Sequence, residues 1–510
     1  MSQLRSGAVL SYVAIFITTM IALLYTPVMI RLLGQSEYGL YSMIGSVAAY
    51  LSIMDLGLGN AIVRYTARNR AVGNKAAESA LNGMFLLLYS LLGLLTLILG
   101  TFIYRTAENV FGSGLTTAEL EQAKIMILII VLNFSLSFPL AIFGSIMQAY
   151  EKFIFIKVIS IFRSLIVPLI TLPFLFIGFG AVTMVLISSI VNIICLILNV
   201  YYCLKKLDVK FHFEKPDFQV LKEILGYSFF VFLGIVVDQV NWNTGQLILG
   251  AVSGTTAVAI FAIAIQFVRL YLQFSTSISG LLLPRISIMV ANNASSSDLT
   301  NIMTKYGRIQ YIILAFILNG FILYGYNFIE VWAGFDYLKA YYMVLIIMIP
   351  ITIPLIQNTG ISILQAKNLQ GFRSLVLLFI AILNIFISII AVKNLGGIGV
   401  AIGTGVSYLI GNGLIMNLYY HYKIGIDIIN FWKNILSLSI VSVISLFIGF
   451  SIDFLIESNN FFFSIAKVSL FSFIYFLLMW FIGFNSYEKN LFQTFWPPLR
   501  TILTKIGYSK

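Results

Sequence analysis

Four charged residues lie inside long apolar stretches, where a charged side chain needs a physical reason: Asp55, Arg163, Asp238 and Arg269. A charge near the centre of a bilayer costs roughly 2.5–3.5 kcal/mol on insertion scales, so such residues usually face a cavity or a partner. Guanidinium groups bind phosphate through two parallel hydrogen bonds. Arg163 and Arg269 therefore predict a cationic site for a phosphate-bearing ligand.

The two acids, Asp238 and Asp55, allow two interpretations. In the first, Asp238 pairs with Arg269, and Asp55 pairs with another arginine, as ion pairs that hold helices together. In the second, one of the acids couples turnover to an ion. The sequence leaves both open.

The stretch VVDQVNWNTGQL, which begins at Val236, is the most polar of the long apolar segments. At helical spacing its polar residues form two adjacent stripes: Asp238, Asn241 and Trp242 on one, and Gln239, Asn243 and Gln246 on the other. Polar groups on two faces favour the wall of a water-filled cavity, in which Trp242 could stack on a sugar ring. The alternative is hydrogen bonding between helices, worth about 0.6 kcal/mol on average.

A bundle of membrane-spanning helices must position these residues. Of the 510 residues, 60% are hydrophobic and only 10% are charged, and no water-soluble core could absorb so much apolar surface. The sequence therefore predicts an all-α polytopic membrane protein. The apolar run near 9–30 is longer than a signal-peptide core and lacks a small-residue cleavage site, so we expect a retained first helix.

Fourteen segments are long enough to cross the hydrocarbon layer, which takes about 20 apolar residues. They are predicted at 8–31, 38–62, 78–104, 122–149, 153–177, 180–204, 224–250, 255–283, 307–333, 338–365, 370–392, 397–421, 434–455 and 461–485. Because fourteen is even, both termini are expected on the same side of the membrane.

Lysine and arginine concentrate in alternate loops, on the side of both termini, whereas acids are more frequent in the opposite loops. The cluster of Arg64, Arg68 and Arg70 is one example. The positive-inside rule predicts that both termini are cytoplasmic. This bias explains most of the net charge of +12, and interaction with anionic lipid headgroups accounts for a further part. The charge does not predict nucleic-acid binding.

An internal repeat organises the chain. SIMQAYEKFIFIKVISIFRSLIVPLI from Ser145 is similar to SILQAKNLQGFRSLVLLFIAILNI from Ser362, at an offset of 217 residues. The offset spans six helices, an even number, so both copies share one orientation, as in parallel repeats. We expect two six-helix lobes around a central cavity, at 1–210 and 218–425, with helices 13 and 14 at 433–485 and a cytoplasmic tail at 486–510.

Catalysis and metal binding have little support in the sequence. The longest loops, near 104–122 and 204–224, are too short for a catalytic domain. Cys195 and Cys203 have no metal-ligating neighbours and are expected to be inert. His212 and His421 fall in or beside predicted cytoplasmic loops, which argues against a histidine proton relay in the bilayer. We therefore predict no enzyme activity, no metal site and no cofactor.

Two motifs near the N-terminus resemble a known family. RLLGQSEYGLYSM at 31–43 and DLGLGNAIVRYTA at 55–67 resemble the start of bacterial polysaccharide flippases of the O-antigen and capsule type. These are the polysaccharide-transporter branch of the multidrug/oligosaccharidyl-lipid/polysaccharide exporter superfamily. The resemblance is specific over about the first 75 residues and elsewhere extends only to helix count, repeat and short loops.

The resemblance implies a flippase in the bacterial cytoplasmic membrane that moves undecaprenyl-pyrophosphate-linked oligosaccharide repeat units to the outer leaflet. It also implies alternating access, with helices 1, 2, 7 and 8 lining a cationic cavity. The polysaccharide polymerase and the chain-length machinery are further candidate partners.

On this basis the pyrophosphate is expected to bind to four arginines: Arg269 first, supported by Arg163, Arg285 and Arg64. The sugars are expected to meet helix 7 at Asn241, Trp242, Asn243 and Gln246. Asp238 or Asp55 would then couple turnover to an ion or serve as a structural pair.

Three other functions compete with the flippase. A multidrug or cation antiporter of the same superfamily would be expected to present acids more than arginines in its cavity. A repeat-unit polymerase or ligase would need a sizeable outer loop with catalytic residues. A non-transporting scaffold of a glycan-assembly complex would tolerate changes at cavity arginines.

Overall fold

The computed structural model describes residues 3–213, 218–279, 282–456 and 461–495, and in these ranges all regular structure is helical. The first eight helices are α1 (Gln3–Leu51), α2 (Leu58–Val72), α3 (Lys75–Phe111), α4 (Thr117–Ala149), α5 (Phe153–Phe176), α6 (Ala181–Lys206), α7 (Phe218–Val252) and α8 (Thr255–Ser279). The next nine are α9 (Leu283–Ala291), α10 (Ser296–Trp332), α11 (Lys339–Ile356), α12 (Asn358–Ala366), α13 (Gln370–Tyr408), α14 (Asn417–Tyr419), α15 (Ile428–Leu455), α16 (Phe461–Leu478) and α17 (Ser486–Phe495). The predicted all-helical class is confirmed.

Twelve segments of the described residues are long and apolar enough to cross a membrane. Two of them, Val13–Val72 with 60 residues and Gln370–Ile424 with 55, far exceed the roughly 20 residues that one crossing needs. Each contains a glycine with a non-helical backbone, Gly34 (φ 76°, ψ 172°) and Gly396 (φ 53°, ψ −132°). Two crossings in each of these segments would give the fourteen of the sequence analysis, a count that stays a prediction.

The N-terminal segment contains two helices that meet at Gly34, between the spans predicted at 8–31 and 38–62. The label α1 covers both of these helices up to Leu51, and a further interruption follows in a 3-10 turn at Ser52–Asp55, inside the second predicted span. The backbone also departs from helical geometry at Gly57, whose φ is 74°. A Cβ there would also lie 2.9 Å from the Val231 side chain on α7. Close packing as well as backbone conformation therefore favours glycine at this break.

The chain forms two compact units. Unit 1 comprises Met1–Ile263 with Ala381–Gly403, and unit 2 comprises Ala264–Ile380 with Thr404–Lys510. The lobe boundaries that the sequence repeat predicts, near 210 and 425, stay a prediction.

The core of unit 1 lies where α2, α3 and α4 pack together. Phe85 and Tyr89 of α3 and Ile142 and Ile146 of α4 are completely or almost completely buried in one cluster. Gly93 lets the two helices approach, because a Cβ there would lie 2.5 Å from the backbone oxygen of Ser135. Small residues at such contacts are typical of helix packing in membranes.

The core of unit 2 joins α10, α15 and α16. Tyr475 of α16 is fully buried and donates a hydrogen bond to the backbone oxygen of Ile312 at 2.8 Å. Asn319 of α10 donates to Ser442 of α15 at 2.9 Å. Buried polar groups are thus paired across helices, which fixes the rotation of each helix about its own axis.

Candidate functional site

The polar residues of α7 meet the second half of α1 within unit 1. Ser46 donates a hydrogen bond to the Gln246 side-chain oxygen at 2.9 Å, and Tyr50 is hydrogen-bonded to Thr244. Ser46 and Tyr50 are four residues apart, as a single helical face requires. Gln246 is only 8% exposed. At Gln246 and Thr244, polar residues of α7 bond helix to helix, as the alternative interpretation predicts.

The other predicted sugar-binding residues of α7 are in different situations. Asn243 is buried and donates to Gln239 on the same helix, and Trp242 is partly buried and has an interaction partner. Asn241 is 6% exposed, and its side-chain oxygen has no hydrogen-bond partner among the described residues. A buried amide oxygen without a donor costs free energy. It is therefore a natural acceptor for a ligand hydroxyl or for water.

Gly245 marks a tight helix contact on the same face as Asn241 and Trp242. A Cβ at this position would lie 2.7 Å from Val400 and 2.8 Å from the ring of Phe261. At this residue α7 is therefore closely packed.

Asp55 lies at the break between α1 and α2. Tyr89 donates a hydrogen bond to one carboxylate oxygen at 2.6 Å, and the backbone nitrogen of Gly59 lies 3.4 Å from the other. Among the described residues Asp55 forms no ion pair with an arginine, and a tyrosine is its side-chain hydrogen-bond partner. Asp238 is exposed and has an interaction partner.

Arg64 lies on α2, one helical turn before Arg68 in the basic cluster that the sequence places on the cytoplasmic side. Its guanidinium lies 4.8 Å from the ring centroid of Tyr227 on α7 and 5.8 Å from that of Tyr65. The side chain remains exposed. Stacking on aromatic rings orients the cation without neutralising its charge.

Arg70, at the end of α2, belongs to a second oriented group. Its guanidinium lies 3.8 Å from the ring centroid of Tyr150, and Tyr150 donates to Glu78 at 2.5 Å. Burial, together with the hydrogen bond to the Glu78 carboxylate, raises the pKa of Tyr150 to about 12. The phenol is therefore neutral at physiological pH and remains a donor.

Arg163 lies on α5, and its guanidinium donates to the Asn192 side-chain oxygen on α6 at 2.8 Å. It lines a cavity of about 710 Å³ whose lining residues all lie between 41 and 196. Arg163 is thus part of a site built from α1, α4, α5 and α6.

Arg269 and Arg285 belong to unit 2. Arg269 is the fifteenth of the 25 residues of α8, and its side chain is exposed and has an interaction partner. Arg285, on α9, is exposed and donates to the Tyr306 hydroxyl at 3.3 Å. Both arginines occupy positions from which a ligand could be reached.

Sequence reasoning missed the partners of these residues, namely Ser46, Tyr50, Tyr89, Asn133, Ser137 and Asn192. Polar residues four apart in otherwise apolar helices, as in the pairs Ser46 and Tyr50 or Asn133 and Ser137, were a usable signal. In the described part of the chain, no three His, Cys, Asp or Glu residues are placed to hold a metal ion.

Comparison with known proteins places these features in a family. Residues 4–290 match the family model described as polysaccharide biosynthesis protein. The uncharacterized membrane protein EpsK of Bacillus subtilis is 22% identical over 94% of this chain and 95% of its own length. A Shigella flexneri protein, provisionally named as an O-antigen transporter, is 19% identical over 79% of this chain and 94% of its own length.

Solved structures show the same fold. The lipid II flippase MurJ in an inward closed conformation superimposes with a TM-score of 0.72 at 19% identity, covering 92% of this chain and 98% of its own. An inward-facing multidrug transporter of the MATE family and MOP superfamily superimposes with a TM-score of 0.67 at 15% identity, covering 83% of this chain and 99% of its own. Relatives and neighbours with a named activity are transporters and flippases rather than enzymes. They confirm the predicted polytopic transporter fold and the resemblance to polysaccharide flippases. This multi-pass membrane protein is a member of the polysaccharide biosynthesis protein family.

Proposed function

We propose that the protein is a flippase for undecaprenyl-pyrophosphate-linked oligosaccharide repeat units in surface polysaccharide biosynthesis. It would act in the bacterial cytoplasmic membrane by alternating access. Family membership, the O-antigen transporter relative and the fold shared with a lipid II flippase support transport of a lipid-linked glycan. The pyrophosphate and the undecaprenyl chain are the finer parts of the proposal.

The observation that carries the proposal is Arg269, an exposed guanidinium in the middle of an apolar helix. A pyrophosphate with a hydrophilic glycan cannot cross hydrocarbon unaided, because every unsatisfied polar group there costs several kcal/mol. A guanidinium binds phosphate oxygens in a bidentate manner and stays charged at any physiological pH. Arg269 would hold the pyrophosphate, with Arg285 and Arg64 as supporting cations.

The sugars would be met by α7. The Asn241 side chain offers a buried oxygen that has no donor among the described residues, and hydroxyl groups of a sugar are donors of the right kind. Trp242 has the flat apolar face on which a sugar ring stacks. Asn243 and Gln246 already have protein partners. Their first role in this proposal is therefore to shape the site around Asn241, and direct contact with sugar is a second role.

The cellular setting follows from the charge distribution. The positive-inside bias supports cytoplasmic termini and uptake of the substrate from the cytoplasmic leaflet. A polysaccharide polymerase and chain-length machinery would take over the glycan on the opposite side.

Reconstituted flipping tests the proposal. Proteoliposomes carrying undecaprenyl-pyrophosphate-linked oligosaccharide would be probed with an enzyme that reaches only the outer leaflet. Loss of one charge-assisted bidentate contact, worth about 1.5–3 kcal/mol, predicts at least a tenfold slower rate for Arg269→Ala, with partial recovery for Arg269→Lys. Arg105→Ala, which removes an exposed arginine of α3, serves as the control and should flip normally.

Two results would contradict the proposal. Wild-type rates in correctly inserted Arg269→Ala would remove the headgroup assignment. Absence of flipping by the wild-type protein, together with efflux of a cationic dye, would favour an antiporter, in which Asp238 and Asp55 would be the functional charges.

A further inference from the structure

The cavity beside Arg163 lies within the length of the membrane-spanning helices. Arg163 is the eleventh of the 24 residues of α5, which puts it about 15 Å along the helix from Phe153. The hydrocarbon layer is about 30 Å thick, so the guanidinium is attached near its middle. A cation at this depth is expected to have a specific role.

A chain of hydrogen bonds fixes the position of the guanidinium. Arg163 donates to Asn192, and the Asn192 amide donates to Asn133 at 3.1 Å and to Ser137 at 2.9 Å, both on α4. This uses one of the five N–H donors of the arginine. Within the described residues, the other four have no protein acceptor.

The charge of Arg163 is not neutralised inside the cavity. The lining residues include hydroxyl and amide side chains but neither aspartate nor glutamate, and among the described residues Arg163 takes part in no ion pair. An uncompensated charge in a low-dielectric setting is costly. An anion bound at the free N–H groups would offset that cost.

An apolar groove runs along α4 and α6 beside the cavity. It has a volume of about 300 Å³, and it shares the lining residues Asn133 and Ser189 with the cavity. Leu132, Leu136 and Ile190 along it are about half exposed, at 54%, 58% and 50%. In a bilayer this face contacts hydrocarbon chains. A cavity with one cationic group that meets an apolar groove fits an amphiphile with an anionic head.

We propose that this site binds an isoprenoid monophosphate, the glycan-free form of the lipid carrier, with its phosphate on Arg163 and its chain along α4 and α6. The lipid chemistry rests on the proposed function. One groove accommodates one chain, which favours an isoprenoid over a two-chain phospholipid. The largely apolar remainder of the cavity offers few partners to an oligosaccharide, which favours the glycan-free form.

This assignment differs from the sequence prediction, in which Arg163 supports pyrophosphate binding at Arg269. A phosphate held near mid-membrane belongs to a headgroup that is crossing the bilayer. The site would therefore give the protein a second route, by which the carrier returns once its glycan has been removed.

Binding of farnesyl phosphate to the purified protein tests the inference. Thermal unfolding in detergent would be followed as farnesyl phosphate is titrated, and we expect the Tm to rise steadily with its concentration, because a ligand that binds only the folded state stabilises it. Farnesol, which lacks the phosphate, and inorganic phosphate, which lacks the chain, should each leave the Tm nearly unchanged.

Matched variants locate the site. Arg163→Gln should weaken binding of farnesyl phosphate at least about tenfold, as expected for loss of hydrogen bonds to a charged group. Ile193→Trp keeps the arginine and fills the groove, so it should weaken binding of farnesyl phosphate as well. Arg105→Gln removes an exposed arginine that lines neither the cavity nor the groove, and it should bind like the wild type.

Three outcomes would overturn the inference. The first is equal binding of farnesyl phosphate to Arg163→Gln and the wild type. The second is a full Tm shift with inorganic phosphate or farnesol alone. The third is tighter binding of dioctanoyl phosphatidylglycerol than of farnesyl phosphate, which would assign the site to a phospholipid. None of these measurements involves flipping, so failure of the proposed glycan transport would be seen separately.

Discussion

Arginines on the long helices of this protein have two different kinds of partner. Arg308 on α10 makes a bidentate ion pair with Glu488 of α17, at 2.7 and 2.9 Å, and also donates to the backbone oxygens of Asn434 and Gly483. Arg163 has an amide as its partner. A fully paired arginine is suited to holding helices together, whereas one without an acid is suited to binding a ligand.

The Arg308 pair predicts a large effect on stability. Glu488→Ala leaves a buried guanidinium without its acid, and breaking one side of a buried pair typically costs about 3–5 kcal/mol. We expect a clear fall in the Tm of the detergent-solubilised protein. The control is Glu108→Ala, which breaks the Lys124 pair whose glutamate is 67% exposed and should cost less than about 1 kcal/mol. Similar losses in both variants would show that the Arg308 pair contributes nothing special.

The residue-level chemistry could be predicted from the sequence only in part. Arg163 and Arg269 were identifiable because a charge stands out in an apolar helix. The partner of Arg308 was not, because Glu488 is 180 residues away in the chain and lies in a segment that the sequence suggests is only a tail. Likewise, nothing local to Asp55 indicates that Tyr89 would be its partner.

At the scale of elements, helix α1 follows α7 and the start of α8 through several small or polar contacts. Besides the bonds of Ser46 and Tyr50 to α7, Gly39 lies directly against the backbone of Thr255, where a Cβ would collide with the Thr255 oxygen. Thr255 in turn donates to Glu119 of α4 at 2.7 Å. Three helices are thus joined where α8 begins.

Gly39→Ala should loosen this junction. The added methyl group forces α1 away from Thr255, and overpacking of this kind usually costs about 1–3 kcal/mol. Gly45→Ala, on the same helix, is the matched control, because a Cβ there meets nothing within 4 Å. Alanine is the better helix former by up to about 1 kcal/mol, so Gly45→Ala should be neutral or stabilising. Thermal unfolding of both variants decides the matter, and an equal response would contradict the assigned contact.

The extent of each helix could largely be predicted, because length and apolar composition are local properties. The interruptions were harder. Two helices were expected on either side of residue 34, and the backbone is non-helical at Gly34, but the 3-10 turn at Ser52–Asp55 interrupts the second predicted span. The position of that turn depends on tertiary packing, which a single sequence does not specify.

At the scale of the whole molecule, the internal repeat of the sequence is also visible in the backbone conformation. Five residues of the first half with positive φ recur 217–220 residues later in the described chain. The pairs are Gly34 and Gly254, Gly73 and Asn293, Glu151 and Asn368, Gly178 and Gly396, and Asp208 and Gly425. The turns between helices therefore keep their positions in the two halves even where the residue types differ.

These paired turns predict which substitutions are tolerated. Glu151 and Asn368 both have φ of 56° and both are exposed after a helix that ends in Gln-Ala. An ordinary side chain in the left-handed region costs about 1–2 kcal/mol, whereas asparagine adopts it readily. Glu151→Gly should therefore raise the Tm, with a gain in the free energy of unfolding of up to about 1 kcal/mol. The gain is no larger because glycine loses more backbone entropy on folding than other residues do. Asn368→Gly should change little.

The reverse substitution completes the test at a third turn of the repeat. Gly178 has φ of 96°, and a methyl group added there would meet nothing within 4 Å, so Gly178→Ala isolates the conformational cost from any packing effect. We expect it to lower the Tm while Glu151→Gly raises it, each measured by thermal unfolding in the same detergent. If both substitutions moved the Tm in one direction, backbone conformation would not be what the two halves share, and the repeat would have to be explained by helix packing alone.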